Sequence, residues 1–393
     1  MDIVVFPLAD WKKCQTEGFR TRDAHITLEL AKRDDVNKIL VVDRPTSIAE
    51  MILMRRSWRV SGGQVIYKQG NVVMTHFAPK IYVLDILQWE LWNPVIQRRK
   101  WWFEIFSREE IHQTIRKAIT PLDLLNFHLM IFAPPSVGVV GRLGETHITF
   151  CAVDNWLHHP QMKRIKPELV SGYETFKQEA DAIITTSENL RQFFIDAKSQ
   201  TIAISNGVDV QHFATTTKIP DDLQKLATKP IVGYAGKMQE RLDIDMITYA
   251  AENLPDVNFV VIGQLLASGF VSKLFKLPNV HYLGDKTFDD LPAYLHNFDV
   301  CIIPHKVSPL TQSMSPLKFY EYLAAGRPIV STEISGVTEF NDWVYIAQDN
   351  EDFLNGITTF LTNPPTKSFQ VPEEWSWQSK TNEFVAFMKA TTA

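Results

Sequence analysis

The chain has 393 residues, 45% of them hydrophobic, and a net charge of -5 at pH 7. This length can bury more than one core and suggests two or three domains, while the small net charge gives no reason to expect a nucleic-acid partner. No stretch reaches the run of about 18 apolar residues that crosses a bilayer, and the strand-like start after Met1 has no basic leader, which predicts a cytoplasmic protein.

Short β-branched runs alternate with longer amphipathic stretches throughout the sequence. This alternation is typical of βαβ units with helices on both faces of a parallel sheet. It predicts an α/β protein of two doubly wound, Rossmann-like domains that face each other across a cleft. The predicted strands are 3–6, 38–43, 129–133, 148–154, 182–187 and 201–205 in the first half, and 230–235, 258–263, 280–283, 300–304, 329–332 and 344–347 in the second.

The first loop runs from Glu17 to Asp23, between the opening strand and a helix that begins near Asp23. Gly18 would let this loop approach a donor molecule closely. Arg20 and Arg22 have the planar guanidinium that suits an acceptor phosphate, although an ordinary solvated loop is the simpler interpretation.

Residues 83–117 interrupt the alternation. Four tryptophans, at 89, 92, 101 and 102, surround the basic run 98–100. Aromatic and basic residues together are typical of a helix at a membrane interface, so peripheral membrane contact is expected through residues 89–106. The alternative is a partly buried helix whose tryptophans pack on the domain.

The two series of strands define the domains. We predict an N-terminal domain over 1–208, a polar linker over 209–229, and a C-terminal domain over 230–374. The last segment, 375–393, is a predicted helix that crosses back to the N-terminal domain.

Basic residues follow the first strand of the second domain. Gly236 would let backbone approach a phosphate, and Lys237 and Arg241 would meet its charge. Further along, residues 315–330 predict a helix with proline at its start and Gly326 at its end, whose free N–H groups and dipole suit a diphosphate. On this helix Lys318 would add charge and Glu321 would accept ribose hydroxyls, although both residue types are also ordinary on exposed helices.

This helix resembles the donor-binding helix of GT-B glycosyltransferases, specifically glycosyltransferase group 1 (family 4) and its branch in bacterial cell-surface polysaccharide synthesis. Residues 204–209 with Phe213 resemble the interdomain signature of that family, 282–284 its segment near the nucleotide base, and 375–377 the start of its final helix. The resemblance covers about 145–380 well and the first 144 residues poorly.

The resemblance implies that the domain over 1–208 binds the acceptor and that the domain over 230–374 binds the nucleotide-sugar, and it implies a set of site residues. Donor-binding residues would be Gly18, Asn206, Gly236, Tyr282, Met314, Ser315, Leu317, Lys318 and Glu321. Lys237 and Arg241 would form the paired basic site for the diphosphate, with lysine where the family usually has arginine. The family commonly has a second glutamate where this chain has Ser313, which leaves the stereochemical outcome open.

The chemistry needs positive charge on the leaving diphosphate and a base for the acceptor. Asp154, at the end of a predicted strand, is the candidate base, with a turn or N-cap aspartate as the alternative. Arg241 and Lys237 complete the predicted catalytic set. No Asp, His or Cys pattern with metal-ligand spacing occurs, so neither a metal nor another cofactor is expected.

These features together predict a metal-independent glycosyltransferase that moves a sugar from a UDP- or GDP-sugar to a glycan or lipid-linked glycan at the inner face of the membrane. A sugar-nucleotide epimerase of the same fold and an inactive nucleotide-sugar-binding homologue are the alternatives. The donor base, the sugar, the acceptor and the oligomeric state are not fixed by the sequence.

Overall fold

The structure is a computed structural model that describes residues 1–215, 218–266, 269–338 and 341–392. The chain divides into two compact units, the first formed by Met1–Ile204 with Lys380–Ala393 and the second by Ser205–Ser379.

The first unit is built on a ten-stranded sheet. Its strands are β1 (Asp2–Phe6), β2 (Lys38–Val42), β3 (Thr46–Ser47), β4 (Gln64–Gln69), β5 (Val72–Ala78), β6 (Ile81–Gln88), β7 (Phe127–Ile131), β8 (His147–Ala152), β9 (Ala182–Thr185) and β10 (Gln200–Ala203). Its α-helices are α1 (Trp11–Glu17), α2 (Arg22–Lys32), α3 (Ile48–Met54), α4 (Asn93–Gln97), α5 (Lys100–Phe106), α6 (Glu109–Ile119), α7 (Lys166–Glu179) and α8 (Glu188–Phe193).

The strand order of this sheet is β10-β9-β8-β7-β1-β2-β6-β5-β4, with β3 paired to β6. Strands from β10 to β6 run parallel, as predicted, whereas β4, β5 and β6 pair antiparallel. The sequence-based assignment missed β3, β4, β5 and β6. Strands β1 and β2 are apolar and almost wholly buried, which is expected for a sheet covered on both faces.

The second unit has a six-stranded parallel sheet of order β13-β12-β11-β14-β15-β16. Its strands are β11 (Ile231–Ala235), β12 (Asn258–Ile262), β13 (Val280–Tyr282), β14 (Val300–Ile303), β15 (Ile329–Thr332) and β16 (Val344–Ala347), all of them predicted within one or two residues. Its α-helices are α9 (Val210–Ala214), α10 (Asp221–Gln224), α11 (Ile244–Asn253), α12 (Leu291–Leu295), α13 (Leu317–Ala324), α14 (Asn350–Thr362) and the start of α15 (Trp377–Thr392).

Residues 209–229, the predicted linker, contain α9 and α10. Phe213 and Leu223 are 1% and 0% exposed and pack with Phe319 in the core of the second unit. Burying a side chain of this size contributes about 1.5–3 kcal/mol, so these two residues fasten the segment to that unit.

Helix α15 supplies the C-terminal part of the first unit. Phe384 is fully buried with the Arg22 guanidinium 5.1 Å from its ring centre, and the Lys389 ammonium lies 2.8 Å from the Asp35 carboxylate. These contacts connect the end of the chain to α2 and the loop that follows it.

The aromatic segment that was expected at a membrane is divided between core and surface. Trp101 on α5 is fully buried, and Trp102 is partly buried with the Arg44 guanidinium 5.0 Å from its ring. Trp89 and Trp92, in contrast, are 73% and 70% exposed. Across the described residues, none of the helices has both the length and the apolar character that a membrane span requires.

Candidate functional site

The second sheet reverses its strand order between β11 and β14. From β11 the chain builds β12 and β13 on one side, and it then returns to place β14, β15 and β16 on the other. Ligands of doubly wound proteins bind beyond the carboxyl ends of the strands at such a reversal. Gly236 follows β11 and His305 follows β14, so both lie at this position.

Glycine is required where the loops after β11 and β12 meet. A Cβ atom at Gly263 (φ 130°) would lie 2.1 Å from the carbonyl oxygen of Gly236, and one at Gly236 (φ 152°) would lie 3.1 Å from the Lys318 Nζ. Both φ angles also disfavour a side chain. The two glycines therefore leave space that the ammonium group of Lys318 approaches.

Lys318 lies in the first turn of α13 and is 8% exposed. Its Nζ atom is 5.1 Å from the centre of the Tyr234 ring. Burial and the nearby charge of Arg241 lower the pKa of Lys318 to about 7, and Glu321 opposes this effect. An anionic ligand would stabilise the charged form of such a buried amine beside a second cation.

Arg241 is held by neighbours on two sides. Its Nη1 atom lies 3.8 Å from the sulfur of Met314. When the Gln239 amide is oriented to satisfy both groups, its oxygen accepts hydrogen bonds from Nε and Nη2 of Arg241 at 2.9 and 3.1 Å. These contacts orient the guanidinium and leave Nη1 with a thioether, a weak acceptor, as its neighbour.

His305 is a site residue that the sequence analysis did not select. It is fully buried, and neither ring nitrogen has a hydrogen-bond partner among the described residues. Its backbone is fixed, because the Thr332 hydroxyl donates to its carbonyl at 2.6 Å. Burial and the charges of Lys318 and Arg241 hold the pKa of His305 well below its usual value, so the ring is neutral at pH 7.

An unpartnered buried imidazole is expensive, since each unsatisfied polar group costs about 1–3 kcal/mol. Such groups in folded proteins often serve a ligand. A neutral ring offers one donor and one acceptor. His305 is therefore equipped to bind a polar group beside the two cations.

The start of α13 is fixed by two loops. The backbone N–H of Asn206 donates to the Ser315 hydroxyl at 3.3 Å, and the Asn206 side-chain amide donates to the Ser315 carbonyl. Gly336 (φ 74°) passes so close that a Cβ atom there would lie 2.8 Å from the Ser315 Cα. These contacts hold Leu317 at the first helical position, and no side chain caps this N-terminus.

Three further predicted residues, Glu321, Tyr282 and Lys237, belong to the same unit. Glu321 is partly exposed, one turn after Leu317. Tyr282 is 37% exposed, donates to the Gly263 carbonyl at 2.8 Å and stacks on Phe275. Lys237 is partly buried, and its carbonyl accepts from the Tyr234 hydroxyl at 3.3 Å.

Ser313 stands where the resemblance leads one to expect a glutamate. It is 6% exposed, and its hydroxyl donates to the Leu310 carbonyl at 2.7 Å. The hydroxyl is thus engaged with the helical turn that precedes Met314.

The predicted residues of the first unit have separate environments. Gly18 (φ 81°) ends α1, and the Arg20 guanidinium lies 3.5 Å from the Glu17 carboxylate. Arg22 is only 4% exposed and donates to the Ile204 carbonyl at 2.6 Å. Asp154 is partly buried two residues after β8. Of the two arginines, Arg20 is the more accessible.

A buried group of charges at the carboxyl ends of β1 and β2 also escaped the sequence analysis. The ammonium of Lys12 lies 3.1 Å from Asp43 and 3.8 Å from Asp85, and both carboxylates are fully buried. Burial raises the pKa of Asp85 to about 7 and that of Asp43 above its usual value. The Asp43 carboxylate also accepts hydrogen bonds from the backbone N–H groups of Trp11 and Lys12. The buried charges therefore fix the start of α1.

Within the described ranges, no group of three or more His, Cys, Asp or Glu side chains has the arrangement of a metal site.

Residues 229–363 match the family described as "Glycosyl transferases group 1". A putative teichuronic acid biosynthesis glycosyltransferase, TuaH, of Bacillus subtilis (strain 168) is 34% identical over 189 residues, which are 45% of this chain and 47% of that protein. The match thus spans about half the length of this curated relative.

Solved structures resemble the whole chain. Sucrose-phosphate synthase from Thermosynechococcus elongatus gives a TM-score of 0.63 at 15% identity, covering 100% of this chain and 96% of that one. Anabaena HepE in complex with UDP and glucose gives a TM-score of 0.60 at 14% identity, covering 100% and 97%. At these identities the likeness shows the fold, GT-B. Residues 229–363 are therefore similar to the glycosyl transferases group 1 family, in a chain with the GT-B fold.

Proposed function

We propose that the protein is a glycosyltransferase that moves a sugar from a UDP- or GDP-sugar to a hydroxyl of a glycan or lipid-linked glycan. The observation that carries this proposal is the convergence of Lys318 and Arg241 beside the uncapped N-terminus of α13, at the strand-order reversal of the second sheet. Two cations and a helix dipole at that position suit a diphosphate.

Glycosyl transfer forms a bond between the sugar C1 and the acceptor oxygen, and it breaks the bond from C1 to the diphosphate. The acceptor proton passes to a base, and the departing diphosphate takes the bonding electrons. In our proposal Lys318, Arg241 and Lys237 stabilise that negative charge, without a metal ion or other cofactor. Asp154 is the proposed base.

The donor is proposed to make separate contacts through its ribose, its base and its diphosphate. Glu321 would accept the ribose hydroxyls, and Tyr282 would lie near the base. The diphosphate pocket would be shaped by Gly236, Met314, Ser315 and Leu317. Asn206 would contribute through its hydrogen bonds to Ser315. His305 is added as a donor ligand because its buried nitrogens have no partner among the described residues.

In the first unit, Gly18 is proposed to contact the donor. Arg20 and Arg22 are proposed to bind the acceptor. Arg22 would contribute mainly through its position, since its guanidinium already binds the Ile204 carbonyl.

The proposed process is synthesis of a cell-surface polysaccharide at the cytoplasmic face of the membrane. It is supported by the name of the TuaH relative, which places that protein in teichuronic acid biosynthesis. Peripheral membrane contact through residues 89–106 is part of the proposal.

Thermal stabilisation by UDP-, GDP-, ADP- and dTDP-sugars tests the donor site. A ligand of the folded state raises the melting temperature, and about 2.7 kcal/mol is gained at 100 times the Kd. We expect one nucleotide class to give a shift that Glu321→Ala reduces by at least half. Glu252→Ala changes an exposed glutamate on α11 of the same unit and should keep the full shift.

The absence of a shift with every donor would count against the proposal. Release of nucleotide with sugar transfer or hydrolysis would exclude an inactive homologue, whereas interconversion of sugar nucleotides without release would indicate an epimerase.

A further inference from the structure

Two separate segments of the first unit form an exposed apolar surface. At the end of α3, Ile52, Leu53 and Met54 are 65%, 70% and 56% exposed. Three consecutive helical residues point in directions about 100° apart, so their common exposure means that the helix end projects from the unit.

The second segment lies before and within α4, which packs beside α3. Trp89, Trp92 and Ile96 are 73%, 70% and 75% exposed. We call the six side chains of the two segments the apolar ridge. Single exposed apolar residues are ordinary, but six large ones on two adjacent elements mark an interaction surface.

Arginines border the ridge without local counterions. Arg55 and Arg56 follow α3, and Arg98 follows α4. All three are exposed, and within the described part of the chain their side chains make no ion pair or hydrogen bond. Two carboxylates in the same stretches of sequence are already paired, Glu50 with Arg44 at 2.8 Å and Glu90 with Arg108.

We propose that the apolar ridge docks on an anionic lipid bilayer. Tryptophans with exposed aliphatic neighbours suit the boundary between headgroups and acyl chains, and uncompensated arginines suit anionic headgroups. A protein partner that supplies carboxylates to these arginines is the alternative occupant of the ridge. The inference rests on the proposed function in one respect: docking would bring the first unit to the lipid-linked acceptors of that function.

Sedimentation with vesicles tests the surface directly. We expect the parent protein to sediment with vesicles of phosphatidylcholine and phosphatidylglycerol, and much less with phosphatidylcholine alone. Leu53→Ser with Trp92→Ser should lower the partition coefficient about tenfold or more, because each removes a large apolar group from the interface. Arg55→Gln with Arg56→Gln should lower it about fivefold per arginine, and added salt should remove that difference.

The matched control is Leu125→Ser with Ile195→Ser, which changes two exposed apolar residues outside the ridge and should sediment like the parent. Donor-induced thermal shifts of every variant report folding and the donor site separately from lipid binding. If the parent protein remains in the supernatant, the docking proposal is wrong. A donor-induced thermal shift of the same protein would still support the glycosyltransferase proposal. Self-association of the parent that the ridge variants abolish would instead identify the ridge as a dimer interface.

Discussion

The ammonium group of Lys318 is buried beside Arg241, and its pKa is lowered to about 7. At pH 8 most of the ligand-free protein therefore holds this lysine neutral. A bound diphosphate would favour the charged form and raise the pKa, so binding should take up protons. Donor affinity should then increase as the pH falls from the pKa of the bound state towards 7, and should level off below it.

Calorimetry of UDP binding at pH 8 in two buffers of different ionisation enthalpy measures this uptake. We expect about 0.4–0.9 proton per UDP for the parent and much less for Lys318→Met, as follows from a pKa shift of one unit or more across this pH. The methionine variant should fold normally, since it replaces a buried amine with an apolar chain. Equal uptake by the two proteins would assign the proton to the nucleotide or to another group.

His305 allows a test in which stability and binding should move apart. The unpartnered ring costs about 1–3 kcal/mol in the ligand-free protein. His305→Phe removes that cost with a ring of similar size, so the free energy of unfolding should stay the same or increase. If the ring binds the donor, the same variant should weaken UDP-sugar binding about tenfold.

An unchanged donor affinity in a stabilised His305→Phe protein would make the histidine a structural defect without function. His305→Asn is the companion variant, because its smaller amide retains a donor and an acceptor and should recover part of the binding.

The sequence selected Lys318, Arg241 and Gly236 for the proposed diphosphate site, but it did not select His305. Lys318, Arg241 and Gly236 stand at recognisable places, at a helix start or just after a strand. A single histidine after a strand carries no comparable signal, because its lack of partners depends on Lys318, Arg241 and Thr332, which are distant in sequence. The roles of all these residues remain predictions until they are tested.

Among the elements, the parallel strands were predicted well because each is a short apolar run between amphipathic helices. The antiparallel strands β4 and β5 departed from that alternation. Gly70 (φ 58°) with Asn71 makes the two-residue turn between them, and this pair is a hairpin signal that the expected βαβ rhythm obscured. In β6 the buried Asp85 interrupts an otherwise apolar strand, and it is tolerated beside Lys12.

The aromatic segment shows why composition alone did not define the proposed membrane surface. Trp101 and Trp102 belong to one helix, yet burial separates them from Trp89 and Trp92. The apolar residues that join the exposed pair come from α3, about 40 residues earlier in the sequence, and only the packing of α3 beside α4 identifies them.

The two units have separate cores, so the chain should unfold in parts that can be followed independently. Helix α15 makes a sharp test, because Phe384 is buried and belongs to the first unit, whereas the start of the same helix up to Ser379 belongs to the second. Phe384→Ala should remove about 3–5 kcal/mol from the first unit. Hydrogen exchange measured by mass spectrometry should show faster exchange in residues 1–204, with little change in 205–379.

Phe360→Ala on α14 is the matched change in the core of the second unit and should give the opposite pattern. Addition of a donor nucleotide should slow exchange in 205–379 of both variants, because the proposed diphosphate site lies wholly in that unit. Faster exchange confined to 205–379 in Phe384→Ala would show that α15 stabilises the second unit instead, and donor protection confined to 1–204 would place the nucleotide away from Lys318 and Arg241.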